Sequence, residues 1–209
     1  MAKARSADFK TPMCRLSFAQ SLFKARAQEE GKPKKFGCTL IFPKSDRAAL
    51  EAEIVKVIRE EWGDKGLKMA REGAIKSPFL AGDGKEARNK QTGELHPGMG
   101  SDVFFIRPQA NEERPPFVIW KDPNTQETEA NVYSGCYGKA VVNLFAWTNA
   151  QSGNGVSFGL QGFQKLKEGE RLGGGGPADP EKWAETIEDD GPAPESTRTG
   201  QGAAGLFGA

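Results

Sequence analysis

The sequence predicts a mainly β fold, either α+β or a small closed barrel that carries one helix. Three observations lead there. Short runs alternate apolar and polar residues, the period of a strand with one covered face. One segment alone repeats its apolar residues at helical spacing. The connections are rich in breakers, with 26 Gly and 13 Pro in 209 residues, while the hydrophobic share is 37%. Such a chain suits a real core carrying long loops or disordered segments.

The elements follow in chain order. In "MCRLSFAQSLF", Cys14, Leu16 and Phe18 share one parity against Arg15 and Ser17. A basic connection with Lys24, Arg26, Lys32, Lys34 and Lys35 leads to "KKFGCTLIFPK", where Phe36, Cys38, Leu40 and Phe42 share a face and Pro43 ends the strand. The helix comes next: Leu50, Ile54, Val57, Ile58 and Trp62 form its stripe, Ser45 or Asp46 can cap it, and Gly63 stops it. "DKGLKMAREG" is a short second helical segment before Gly73. Residues 78–100 are loop-like, carry Lys85, Arg88 and Lys90, and are too long for a simple turn. "DVFFIRP" and "FVIWKD" are strands joined across "QANEERPP", and Phe104 and Phe105 are expected in the core. The run from Val132 to Asn149 is a long strand, and "NAQSGNG" turns it into a last strand, "VSFGLQGFQKLKEG", where Gly162 marks a bulge that resets the register beyond it.

The long strand sorts into two faces. Val132, Ser134, Cys136, Gly138, Ala140, Val142, Leu144 and Ala146 are small or aliphatic, as a packed side would be. The other parity holds Tyr133, Tyr137, Phe145 and Trp147 together with Lys139 and Asn143. Aromatics interleaved with cations on a strand face suit a single-stranded nucleic acid, because bases stack on rings and phosphates follow cations. The bland alternative is equally physical: aromatics favour strands, and sandwiches bury both faces. Phe145, with no polar atom at its edge, is expected to be the most buried of the four. Phe36 is core unless the adjacent Lys34-Lys35 pair draws it into a site.

Composition excludes several classes. No run of about 18 apolar residues could span a membrane, and the first ten residues lack the apolar stretch of a secretory signal. Cys14, Cys38 and Cys136 are an odd number set in apolar runs, which fits reduced core thiols and a cytoplasmic protein. From Gly173 onward two basic residues stand against seven acidic ones, so that segment carries −5 and the preceding 172 residues carry +6 of the net +1. A basic body favours a polyanion partner. His96 is the single histidine, with no nucleophile-elbow pattern around it. No Cys/His spacing suits zinc, and Gly138-Lys139 lacks the glycine and hydroxyl that a phosphate loop requires. Neither catalysis nor a cofactor is expected.

"VYSGCYGKAVVNLFAW", followed by "GNGVSFGLQGFQKLKEGERLGGG", resembles the bacteriophage single-stranded-DNA-binding proteins with an OB-fold. "KKFGCTLIFPK" and "HPGMGSDVFFIRP" also fit, so the resemblance covers most of residues 10–175. It implies a mainly β, five-stranded OB-fold barrel with one inserted helix. It further implies a non-enzymatic protein that holds single-stranded DNA in phage replication, recombination or repair, in the host cytoplasm if phage-encoded. The groove role carries over to Tyr133, Tyr137 and Lys139. Strand faces extend it to Arg15, Lys34, Lys35, Phe36, Trp147, Lys165 and Lys167. The division expected is a binding domain over 1–172 and a disordered Gly/Pro-rich acidic tail over 173–209. Such tails recruit replication or recombination proteins, and Leu206 and Phe207 are the candidates here, although "EDD" (188–190) lies well before the end. The rival functions are a protein-interaction barrel whose aromatic face meets another protein and, more remotely, a metal-using nuclease built on loop carboxylates.

Overall fold

The computed structural model describes residues 3–27 and 31–173, and the expected tail with its Leu206–Phe207 pair lies outside them. Among the described residues there are eleven strands and one long helix. The strands are β1 (Phe9–Lys10), β2 (Cys14–Ser17), β3 (Lys35–Gly37), β4 (Thr39–Pro43), β5 (Ile75–Lys76), β6 (Leu80–Ala81), β7 (Val103–Ile106), β8 (Gln109–Asn111), β9 (Phe117–Ile119), β10 (Tyr137–Asn149) and β11 (Gly153–Lys167). A one-turn helix α1 (Gln20–Phe23) follows β2, and α2 spans Arg47–Arg71. All strands join one sheet in the order β3-β8-β11-β10-β2-β4-β7-β6, with β1 on β10 and both β5 and β9 on β11. The end strands β3 and β6 are not paired with each other, so the ladder stays open and its exposed edges are short.

The helical stripe is realised. Leu50, Ile54, Val57 and Ile58 are buried in the main core with Leu16, Leu40, Phe42, Phe104, Leu144 and Phe163. Each such fully buried side chain contributes about 1.5–3 kcal/mol over leaving it in water. Gly63, at φ 63° and ψ −158°, breaks α2 into the two helical segments that the sequence predicts. The cap differs from expectation. A 3₁₀ turn over Lys44–Asp46 leads into α2, and neither Ser45 nor Asp46 makes a side-chain cap; the Ser45 hydroxyl instead meets Asp46 Oδ1 at 3.4 Å.

Strand β4 is buried on both sides from Thr39 to Phe42, because the 78–100 loop covers its outer face. A second small core there holds Ile41, Phe105 and Ala87, closed by Leu95, Met99 and Leu172. That loop therefore has structure of its own: β6, a 3₁₀ turn at Lys85–Ala87, and a bridge from Arg88 to Leu95.

The β10–β11 hairpin spans the molecule. On β10 the predicted packed parity holds from Gly138 to Ala146, while Tyr137, Lys139, Val141, Phe145 and Trp147 are half-buried on the other face. The strand begins at Tyr137, however. Val132–Cys136 is a turn region, with Gly135 at φ 116°, so Tyr133 does not share the strand face with Tyr137. On β11 the register slips twice: Val141 faces Gly162 but Val142 faces Leu160, and Tyr137 faces Lys167 but Gly138 faces Lys165. Gln161 and Leu166 are the extra residues. The first slip, beside the predicted Gly162, swaps the faces and turns Phe163 and Lys165 inward. Two glycines of β11 seat aromatic rings: a Cβ at Gly155 would lie 2.2 Å from the Trp147 ring, and one at Gly162 would lie 2.4 Å from Phe117.

An element with no hydrophobic signature completes the site. Residues 4–11 run antiparallel along β10, with Ala146 N donating to Ala4 O, Ser6 N to Leu144 O and Thr11 N to Ala140 O, all at 2.9 Å. Helix α2 pins their start, since Glu61 accepts from the Ala4 N–H at 2.7 Å and from Lys3 Nζ at 2.9 Å.

Candidate nucleic-acid interface

The sheet order brings five chain segments side by side: residues 4–6, β10, β11, β8 and β3. Arg5 bridges Phe145, Phe145 pairs with Ser157, Gly159 with Gln109, and Asn111 with Lys35. Four interstrand steps of about 4.8 Å make this floor roughly 19 Å across. Over it lies a groove of about 640 Å³ lined by Arg5, Lys35, Arg107, Arg114 and Phe145, with Gln109 and Gln161 between them. Among the described residues, four cations and no carboxylate line it. Such a concave, single-sign surface concentrates polyanions.

The cations are held in different ways. Arg5 donates to Asn143 Oδ1 at 3.3 Å, and Asn143 Nδ2 donates to Asp8 Oδ1 at 2.9 Å. Arg107 donates to the Glu86 carbonyl at 2.7 Å and lies 3.7 Å from its carboxylate. Partial burial lowers the Arg107 pKa, and Glu86 opposes the shift. A guanidinium already stripped of part of its water has less hydration to lose when a phosphate arrives. Beyond Arg107 the groove continues into a smaller cavity that shares Lys35, Arg107 and Gln109 and adds Phe18, Arg26 and Phe36.

The predicted site residues separate into three groups. Lys35 and Phe36 line this continuous surface, and Lys34 is exposed beside them. Trp147 flanks it, two residues from Phe145, with its indole N–H donating to Ser157 Oγ at 2.9 Å. Phe145 itself is half-buried, as are Tyr133, Tyr137 and Trp147, and it lines the groove. Tyr137 belongs elsewhere. It lies at the other end of β10, beside Arg15, in a cleft that also contains Asp46 and Asp102. The Arg15 guanidinium stands 5.6 Å from the Tyr137 ring centroid and donates to the carbonyls of Gly135 and Glu170. Lys139 is half-buried and Lys167 exposed on the same end of the hairpin.

Two expectations are corrected. Lys165 is 1% exposed, turned inward by the β11 bulge. Its ammonium donates to Asn131 O at 2.6 Å and Glu168 Oε1 at 2.7 Å, and sits 3.9 Å from Trp120 and 5.0 Å from Tyr133. A cation so enclosed has no phosphate to reach. The same bond to Lys165, followed by that from Tyr133, lowers the Glu168 pKa. Tyr133 donates to Glu168, with the Gly169 carbonyl 3.0 Å from its hydroxyl, and Arg171 covers its ring at 4.0 Å, so its π-face is already occupied. The bond to Glu168 raises its phenol pKa. Asn143 is buried and serves to orient Arg5.

Buried thiols complete the agreement with the sequence. Burial pushes Cys14 up to about 12 and raises Cys38 and Cys136. None of the three is in a disulfide. No helix among the described residues is long and apolar enough to cross a membrane.

Comparison with known proteins supplies the family. The family model described as Enterobacter phage Enc34, ssDNA-binding protein, matches residues 7–192. Putative protein p50 of Acyrthosiphon pisum secondary endosymbiont phage 1 is 30% identical over 159 residues, 71% of this chain and 78% of that protein. The structure of the single-stranded DNA-binding protein from bacteriophage Enc34 in complex with ssDNA superposes with a TM-score of 0.58 at 20% identity, over 83% of this chain and 96% of that one. The single-stranded DNA binding protein gp2.5 of bacteriophage T7 gives 0.50 at 14% identity, over 92% and 100%. At such identities the structural likeness is one of fold, whereas the family match spans most of the sequence. The chain belongs to the family of the ssDNA-binding protein of Enterobacter phage Enc34.

Proposed function

We propose that this protein is a non-enzymatic binder of single-stranded DNA that holds the strand in the groove across β10, β11, β8 and β3. The observation that carries this is the groove lining: Arg5, Lys35, Arg107 and Arg114 around Phe145, with no carboxylate among the described residues. The fold supports it, since the Enc34 protein of like fold was solved with ssDNA. Phosphates lie on the four cations and bases stack on Phe145 and Trp147, with Lys34 and Phe36 at the far end. Stacking accepts any base, so affinity tolerates sequence.

Tyr137, Lys139, Arg15 and Lys167 form a weaker extension of the path, because Asp46 and Asp102 offset the charge near Tyr137. Tyr133 supports that end from within, and Lys165 is no part of the path. The setting is phage replication, recombination or repair in the host cytoplasm. Residues 173–209, acidic overall, are the segment that engages partner proteins.

Fluorescence anisotropy of a labelled oligo-dT, at two salt concentrations and beside a duplex of equal length, tests the function. Tight, salt-sensitive binding that prefers the single strand is expected. Absence of binding at low salt by folded protein refutes it and favours a protein partner for the groove.

A further inference from the structure

The cavity at the end of the groove has a feature that the open floor lacks. Phe18 leaves β2 at φ 55°, the one non-glycine with positive φ among the described residues, and the residue is 44% exposed. The parity of β2 would have buried it with Cys14 and Leu16. A bulky side chain in the left-handed region is strained, and such outliers persist where surrounding contacts over-determine them. Those contacts come from the Tyr-Ser-Gly-Cys segment. Ser134 Oγ accepts the Ala19 N–H at 3.0 Å, and Leu16 exchanges backbone bonds with Gly135 and Cys136 at 2.7 and 2.9 Å. His96 then meets the Phe18 ring edge-to-face at 5.2 Å, which fixes its plane.

Phe18 and Phe36 line one cavity of about 250 Å³, with Arg26, Lys35 and Arg107 among the other lining residues. We infer that this cavity seats a single nucleobase of the bound strand, turned out of the groove between Phe18 and Phe36, while its phosphate rests on Arg107. The inference builds on the proposed single-strand binding and adds a fixed seat to an otherwise sliding path. It also gives Ser134 a positioning role: the segment carrying the family resemblance holds the strained turn that presents Phe18.

The experiment compares two strands of equal length, oligo-dT and an abasic phosphodiester, by anisotropy with full-length wild type, F18A and F18G. Wild type is expected to prefer dT. F18A and F18G are expected to bind dT about tenfold more weakly and the abasic strand as wild type does, since the loss is one stacked base. F18G is also expected to melt no lower than wild type, because glycine takes φ 55° without strain. Wild-type binding of dT with both variants unchanged overturns the base seat alone. A marked fall in melting temperature for F18G overturns it too, by showing that the ring belongs to the core. Failure of wild type to bind dT refutes the proposed function itself.

Discussion

Replacing Arg114 by Gln tests the groove through its salt dependence. Arg114 is an exposed residue lining the groove, so the change is expected to move stability by no more than about 0.5 kcal/mol. If the four groove cations each neutralise one phosphate, log K falls with log salt at a slope of about −2.8, taking about −0.7 per contact for single strands. Between 50 and 200 mM salt the wild type then loses about 50-fold in affinity. With three contacts the slope is about −2.1 and the loss about 18-fold. The assay is anisotropy of labelled oligo-dT over that salt range, with a thermal melt to confirm folding. An R114Q slope equal to wild type, at equal affinity, removes Arg114 from the strand's path and with it the groove as its bed.

Three further outcomes are expected. Y137A lowers oligo-dT affinity less than R114Q at low salt and leaves the melt cooperative; a larger loss than R114Q moves the main path to the tyrosine end. K165A destabilises the protein by about 2–3 kcal/mol, because buried charge-assisted hydrogen bonds and an aromatic contact are lost together, yet keeps the wild-type salt slope. Denaturant titration and anisotropy separate those effects, and a reduced slope returns Lys165 to the phosphates. Glu61 has a lowered pKa, first through the Ala4 N–H and then through Lys3, so its stabilisation is full above the unfolded value and is lost as pH falls through the folded one. The E61Q melting deficit at pH 7 therefore shrinks below about pH 4. A deficit that stays constant with pH assigns Glu61 a role independent of its charge.

Parity and helical spacing determined much of this protein in advance. Both are local physics: side chains alternate across a strand, and α2 repeats its apolar residues on one face, so Ala140, Val142, Leu144 and Leu50, Ile54, Ile58 declare their burial without knowledge of any partner. The Gly63 break, the hairpin at Asn149–Gly153, the buried cysteines and the face carrying Phe145 and Trp147 follow from the same rules. The family resemblance was equally legible, because it rests on contiguous segments.

Tertiary structure decided which aromatics meet which charges. Arg5 reaches the groove because a polar segment with no alternating pattern pairs with β10 through its backbone. Arg107 and Arg114 reach it because β8 joins β11 in parallel, a long-range pairing that leaves no periodic trace. The bulge at Gln161 in β11 turned Lys165 from the expected DNA face into the core, since one extra residue exchanges the two sides of a strand. Phe18 left its strand's buried parity because the turn at Ser134–Cys136 holds it in a conformation that its own sequence disfavours. Patterns of two and 3.6 record which side of an element is covered. They carry no record of what covers it, and this groove is made from elements that lie far apart in the chain.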